Sequence, residues 1–498
     1  MKKILSVLFV IALATIIVGC GKKASDDVEV LKHLGPFNTF DPNKDPNAAV
    51  VERLTGQKVE YFMLPQSNTD EKLYLDIAGG ADYNSMMLVP HQFQKLYSSG
   101  ALLDLTDLIE EYGPNIKSAI SETSWATSTF DGKIYAIPQK NASDNINKSL
   151  FVRMDVLKEH GINEMPVTLD DFKTTLTTLK DGGVDVPFCA PNFSIETIRG
   201  AFGIVLDWVE QADGTLEFWT ETEAFQDYAD YVAELESEEL IQSGYITEST
   251  NCTQLFTTGK TAFIETAWWA SNNIYTALAS TEKITVEQLL ADIDDYIQYI
   301  PSLEGEDGTA EARLDRSITY FVAIPKYMKD EAVATIKWIN DKLDPAKHLE
   351  IAIGVEDETF KIIDGKYYPI LDPKDENGKA PFDVKGTADW FLTGLREDVY
   401  GTYWQARARK LATQQHSWES MNENRDEYGV YNPIGLAPGF ETWSAKQSGI
   451  SQSVNDFLTL YLTNDSKKTT VAKLIEELNS KGLTDAKTEI NNWYKDNK

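Results

Sequence analysis

Two stretches of the chain carry residue types whose spacing could do chemistry. Asp41, Asn43, Asp45, Asn47 and Glu52 fall at positions 1, 3, 5, 7 and 12 of an EF-hand-type calcium loop. Oxygen donors at alternate positions are what a hard cation needs, but position 6 of such a loop is glycine for the sharp turn, and here it is Pro46. The same segment also reads as the start of a helix capped by Asn47, so Asp41, Asn43, Asp45 and Glu52 have a structural reading beside the calcium one. The second stretch is Ile17-Val18-Gly19-Cys20. It closes an apolar run over residues 4–18, preceded by the basic Lys2 and Lys3 and short for a membrane span. A small residue directly before a cysteine at that point is a lipobox pattern, in which the Cys20 thiol takes a diacylglyceryl group and becomes the mature N-terminus. Residues 1–20 are then a signal peptide and residues 21–27 a short tether.

Other chemistry has less support. Cys189 and Cys252 remain after Cys20, and a disulfide between them is possible in an extracytoplasmic compartment but not needed in a chain this size. The five histidines are scattered and no Cys/His cluster suggests zinc, so no cofactor is expected. A glycoside hydrolase would need two placed carboxylates, but with 78 acidic residues their presence discriminates nothing. No GxSxG nucleophile motif appears, and neither repeats nor a stalk point to an adhesin.

The 498 residues are enough for more than one core, and 42% hydrophobic with 25% charged is an ordinary globular composition. A net charge of −32 argues against nucleic acid as a partner, because phosphate binding needs a basic footprint. It leaves room for a small neutral ligand.

The elements alternate. A strand is expected from residue 29 to 34, a helix over 48–54 closed by Gly56, a strand over 58–64, a helix over 71–78 closed by Gly79 and Gly80, and a strand over 85–89. Asp131-Gly132 is a hairpin turn signal, with a short strand after it stopped by Pro138. Asp155 reads as the cap of a helix that Gly161 ends, and Thr168 caps the next, with Asp171 in capping-box spacing. Residues 222–235 form a strong amphipathic helix. Strand and helix in alternation argue for an α/β lobe with helices on both faces of its sheet. Ligand groups in such a lobe come from loops at the carboxyl ends of strands, which here hold Phe37, Asn38, Gln66, His91 and Gln139.

Several stretches together resemble a known family. Asp131-Gly132-Lys133-Ile134-Tyr135-Ala136-Ile137-Pro138, Phe151-Val152-Arg153-Met154-Asp155-Val156-Leu157 and Thr168-Leu169-Asp170-Asp171-Phe172 occur in the order seen in extracellular solute-binding proteins of bacterial ABC importers, family 1, carbohydrate type. Thr55-Gly56, Gly100-Ala101-Leu102-Leu103-Asp104-Leu105-Thr106 and Gly259-Lys260-Thr261-Ala262-Phe263 extend the match. Ile353-Gly354-Val355-Glu356 and Asp364-Gly365-Lys366 are similar to its long-chain lipoprotein branch, except that Asp357 stands where glycine is usual. The match is weakest over residues 382–448.

The resemblance implies a two-lobed, type II periplasmic-binding-protein-like fold, each lobe a mixed sheet flanked by helices and joined by hinge crossings. Lobe 1 would hold residues 28–140 and 318–385, and lobe 2 residues 141–317 and 386–498. It implies a monomeric substrate-binding protein, not an enzyme, held at the extracytoplasmic face of the cell membrane through Cys20. Such a protein passes an oligosaccharide to ABC permease subunits, with a peptide or other solute as the alternative ligand. In the family a Trp after the "Gly-Lys-x-Ala" segment commonly stacks on a sugar ring, which singles out Trp268 and Trp269. Adjacent residues of a strand cannot face one way, so one of the pair is expected in the core. Glu265 beside them could accept two hydroxyls or be an ordinary solvated carboxylate. Trp125, Tyr320 and Trp418 (with His416) are further cleft candidates. Arg153 reads first as a structural ion pair and second as a ligand contact.

Overall fold

The computed structural model describes residues 30–141, 144–190, 192–242, 252–314, 316–437, 439–462 and 469–497. Cys20, the signal segment and the tether lie outside them. Two sheets organise the chain. Their strands are β1 (Leu31–Gly35), β2 (Val59–Met63), β3 (Ser85–Leu88), β4 (Ile137–Lys140), β5 (Lys148–Arg153), β6 (Phe188–Cys189), β7 (Phe263–Ala267), β8 (Ile297–Ile300) and β9 (Ile318–Ala323). The first sheet runs β2-β1-β3-β9-β4, with β9 antiparallel to both neighbours, and the second runs β8-β5-β7-β6.

Each sheet is covered on both faces. Side chains alternate across a strand, so in β5 Leu150 and Val152 enter one core while Phe151 between them enters another. In the first sheet Met87 and Val322 face one core, and Met86, Leu88, Phe321 and Ala323 the opposite one. The fold is the expected α/β, two-lobed arrangement. The chain leaves the first lobe after β4, starts the second at β5, and returns with β9. It passes again within one helix, Tyr400–Ala408: Tyr400, Tyr403 and Ala406 belong to a first-lobe core, and Ala408 to a second-lobe core. First-lobe packing thus continues to Ala406, past residue 385. Helix Glu441–Leu462 and the helices after it pack on the second lobe.

Local chemistry explains the elements and corrects some expectations. Thr168 Oγ1 accepts from the Asp171 amide at 3.1 Å and Asp171 Oδ2 accepts from the Thr168 amide at 3.2 Å, the capping box read from the sequence. The first helix, Pro46–Thr55, is capped by Asp45 rather than Asn47, because Pro46 takes the first helical position, where its missing N–H costs nothing. Helix Met154–Glu159 starts at Arg153, and Asp155 binds that arginine instead of capping. Pro138 does not stop a strand. It lies inside β4, an edge strand, where no ladder donor is required of it. Asp357, where the resembling family carries glycine, has φ 63°, the left-handed backbone that favours glycine. Cys189 and Cys252 form a disulfide, tying β6 to helix Cys252–Thr257.

Candidate functional site

Where the lobes meet, two hollows adjoin and share Lys140, Asn141, Leu395, Tyr400 and Trp404 in their walls. The larger, about 420 Å³, adds Asp144, Glu397, Trp418 and Arg425, and the smaller, about 250 Å³, adds Phe37, Asn38, Gln139, Tyr320 and Trp390.

Each wall is placed by packing that can be traced. Trp390 donates from Nε1 to the Pro36 carbonyl at 3.0 Å, and its ring lies so close under Gly35 that a Cβ there would sit 2.3 Å from it. That contact holds the loop presenting Phe37, which is 41% exposed, and Asn38. Gln139, at the end of β4, is buried and accepts from the Gly394 amide at 3.2 Å, fixing the far wall. Tyr400 donates to Asp389, and burial pushes its hydroxyl well above the usual range, so it stays protonated.

Trp404 is the central side chain. It is half-buried, lines both hollows, and packs against cores of both lobes. Its ring centroid lies 5.8 Å from that of Trp268 and 6.4 Å from that of Trp418. Trp268 is 8% exposed and donates to Asn147 Oδ1 at 3.3 Å, while Trp269 is 53% exposed, with its ring 5.6 Å from Trp268. The pair diverges because residues Trp268–Ala270 form a 3-10 turn directly after β7. Apolar faces of this kind, ringed by carboxylates and amides, suit a ligand with C–H faces and a hydroxyl rim.

The ionisable groups around the hollows are mostly engaged. Asp144 meets Arg316 at 3.1 Å, Asp398 meets Arg396 at 2.9 Å, and Asp389 meets Arg407 at 3.2 Å. Among the described residues no nucleophile is paired with a base around the hollows, and no His, Cys, Asp and Glu side chains gather as a metal site. The calcium-like oxygens do not converge. Asp41 caps a short 3-10 turn and Asp45 caps the first helix; Asn43 Oδ1 accepts from the Tyr61 amide at 2.9 Å, and Lys385 Nζ donates to Asn47 Oδ1 at 3.1 Å.

The bacterial extracellular solute-binding protein family matches residues 46–342, more than half of the chain. The chain belongs to this family. Lipoprotein LipO of Bacillus subtilis (strain 168) is 20% identical over 520 residues, covering 97% of each chain. Among solved structures, the Streptococcus pneumoniae ABC-transporter substrate-binding protein FusA in complex with kestose superposes with a TM-score of 0.65 at 19% identity, over 94% of this chain and 99% of that one. The alginate-binding protein AlgQ2 without calcium ion gives 0.64 at 20% identity, over 95% and 99%. At such identities the likeness is one of fold.

Of the sequence-derived candidates in this solute-binding protein, Phe37, Asn38, Gln139, Tyr320 and Trp418 line the hollows; Trp268 packs against Trp404 and Trp269 against Trp268, and neither is in the walls. The others are elsewhere. Glu265 is buried within the second lobe and accepts from the Thr197 amide at 2.9 Å and its hydroxyl at 3.1 Å; burial pushes its carboxyl up to about 7. Arg153 is buried, with Nε and Nη2 on the Asp155 carboxylate at 2.8 and 2.6 Å, the structural pair read first from the sequence. His91 binds Asp70 at 2.8 Å, away from the cleft. Gln66 is exposed outside both hollows, and Trp125 packs on a first-lobe core. His416 is hydrogen-bonded to Tyr275 at 3.0 Å. Trp404, Tyr400 and Trp390 were missed. They lie in the stretch with least family resemblance, and the sequence signal available there was only aromatic content.

Proposed function

We propose that this protein captures an oligosaccharide between its lobes and delivers it to the permease of an ABC importer. The observation that carries the reading is Trp404, a half-buried indole that touches both lobes and lines both hollows. A sugar ring against it would engage both lobes at once, which is how a ligand favours a closed form by hinge motion. Trp418 extends the aromatic surface and Trp268 packs against Trp404, with Phe37, Asn38, Gln139 and Tyr320 on the first-lobe side. The name of FusA, a fructooligosaccharide ABC transporter substrate-binding protein, supports a sugar ligand. The chain acts as a monomer without covalent chemistry. Cys20 carries the lipid that holds it at the extracytoplasmic face of the membrane, in keeping with the lipoprotein name of its relative LipO.

A thermal-shift screen of oligosaccharides with peptides as controls tests the reading. A ligand at 100 times its Kd adds about 2.7 kcal/mol to the folded state and raises Tm. A hit among sugars with no shortened products supports capture and transport. A hit among peptides alone replaces the ligand, and catalytic release of shorter sugars replaces the function.

A further inference from the structure

The polar atoms of the cleft bear on which sugars it takes, an inference that rests on the oligosaccharide reading. Three side chains lining the larger hollow keep an atom shut off from water and without a hydrogen-bond partner: Asp144 Oδ1, Glu397 Oε1 and Trp418 Nε1. Buried polar groups are nearly always paired, and an orphan costs about 1–3 kcal/mol. Three such atoms around one hollow are accounted for if closure of the lobes turns them toward a bound ligand that supplies their partners. An ionised carboxylate accepts and never donates. Asp144 and Glu397 therefore ask the ligand for donors, and Trp418 asks it for an acceptor. A sugar hydroxyl is both. A sugar carboxylate brings acceptors only.

The charges agree. Around the two hollows stand the carboxylates Asp144, Asp389, Glu397 and Asp398 against the cations Lys140 and Arg425. Arg425 is already engaged, 3.0 Å from Asp426 and donating to the Asp144 carbonyl at 2.6 Å. Among the described residues Lys140 is in no ion pair, and it is the cation left to meet a ligand. Recognition of a carboxylate on every ring would call for arginine forks presented along the cleft. Arg316, Arg396 and Arg407 already hold Asp144, Asp398 and Asp389, so among the described residues the lining charges without an ion-pair partner are Glu397 and Lys140.

We propose that the cleft selects uncharged, hydroxyl-rich oligosaccharides and rejects uronate chains, with Glu397 and Asp144 as the discriminating acceptors. Calorimetric titration of the full chain in mild detergent tests this with trisaccharides of equal length. One set is neutral (kestose, maltotriose, cellotriose, galactotriose) and the other acidic (trigalacturonate, trimannuronate, triguluronate). The expected result is binding by a member of the neutral set, with every uronate at least about 100-fold weaker, and a roughly tenfold loss for that neutral sugar in E397Q at unchanged Tm. A uronate that binds as tightly as the best neutral sugar overturns the selection while leaving the oligosaccharide reading standing. Unchanged affinity in E397Q removes Glu397 from it. Silence in both sets overturns the oligosaccharide reading, and this inference with it.

Discussion

The indole of Trp404 stands nearly perpendicular to that of Trp268, at 89° with centroids 5.8 Å apart, and so joins the helix Tyr400–Ala408 to the turn Trp268–Ala270 of the second lobe. The geometry separates the roles of the tryptophans. Trp404→Ala should cost at least about 2 kcal/mol of ligand binding, roughly thirtyfold in Kd, because a central, partly desolvated aromatic carries a large share of binding energy. Trp268→Ala should cost about 3 kcal/mol of stability, as a buried large-to-small change. Trp269→Ala, at an exposed site, should move stability by no more than about 0.5 kcal/mol. Denaturant melts and titration of the three variants check this.

Arg316 and Asp144 meet on two different passages of the chain between the lobes, and Arg316 also lies over the Tyr431 ring at 3.8 Å. Both side chains are more than a third exposed, so the pair adds at most about 1 kcal/mol to stability. Its effect should appear in lobe geometry. Arg316→Ala should leave Tm nearly unchanged, broaden the lobe-angle distribution in small-angle scattering, and weaken ligand binding a few-fold by lowering the population of the competent form.

Glu265 makes stability depend on pH. Its folded carboxyl is raised to about 7 by burial, so the folded state holds a proton that the unfolded state releases at its ordinary, lower value. The associated stability is fully present below the unfolded pKa and is lost as pH rises through about 7. Glu265→Gln keeps an oxygen for both Thr197 bonds and removes the titration. The variant should gain stability over wild type above pH 7 and flatten the slope below it, as read by denaturant melts across pH.

The Cys189–Cys252 bridge spans 63 residues of chain. Restricting a loop of that length in the unfolded state is worth about 2–4 kcal/mol. Replacing both cysteines by alanine, or melting in the presence of dithiothreitol, should lower Tm correspondingly without changing ligand affinity, since neither residue lines the cleft.

What the sequence disclosed were local signals. The Thr168/Asp171 box, the Asp131-Gly132 turn, with φ of 49° and 74°, and the divergence of Trp268 from Trp269 each follow from a few neighbouring residues. The wall of the cleft is not local. Gln139 meets Gly394 across 255 positions, and Trp404 reaches the hollows only because its helix passes between two lobes. Nothing in residues 382–448 marks which of their aromatics face that gap. Glu265 was a chemically sensible acceptor, but its strand alternation turns it inward to the Thr197 amide. The calcium-like spacing was sound as spacing, and helix capping consumed Asp41 and Asp45.

The most direct test of the central claim is a crystal structure with the oligosaccharide that gives the largest thermal shift. A sugar ring stacked on Trp404, with both lobes contributing hydrogen bonds around it, is the predicted result. A ligand bound to one lobe alone, or held in the cleft without touching Trp404, would contradict the account.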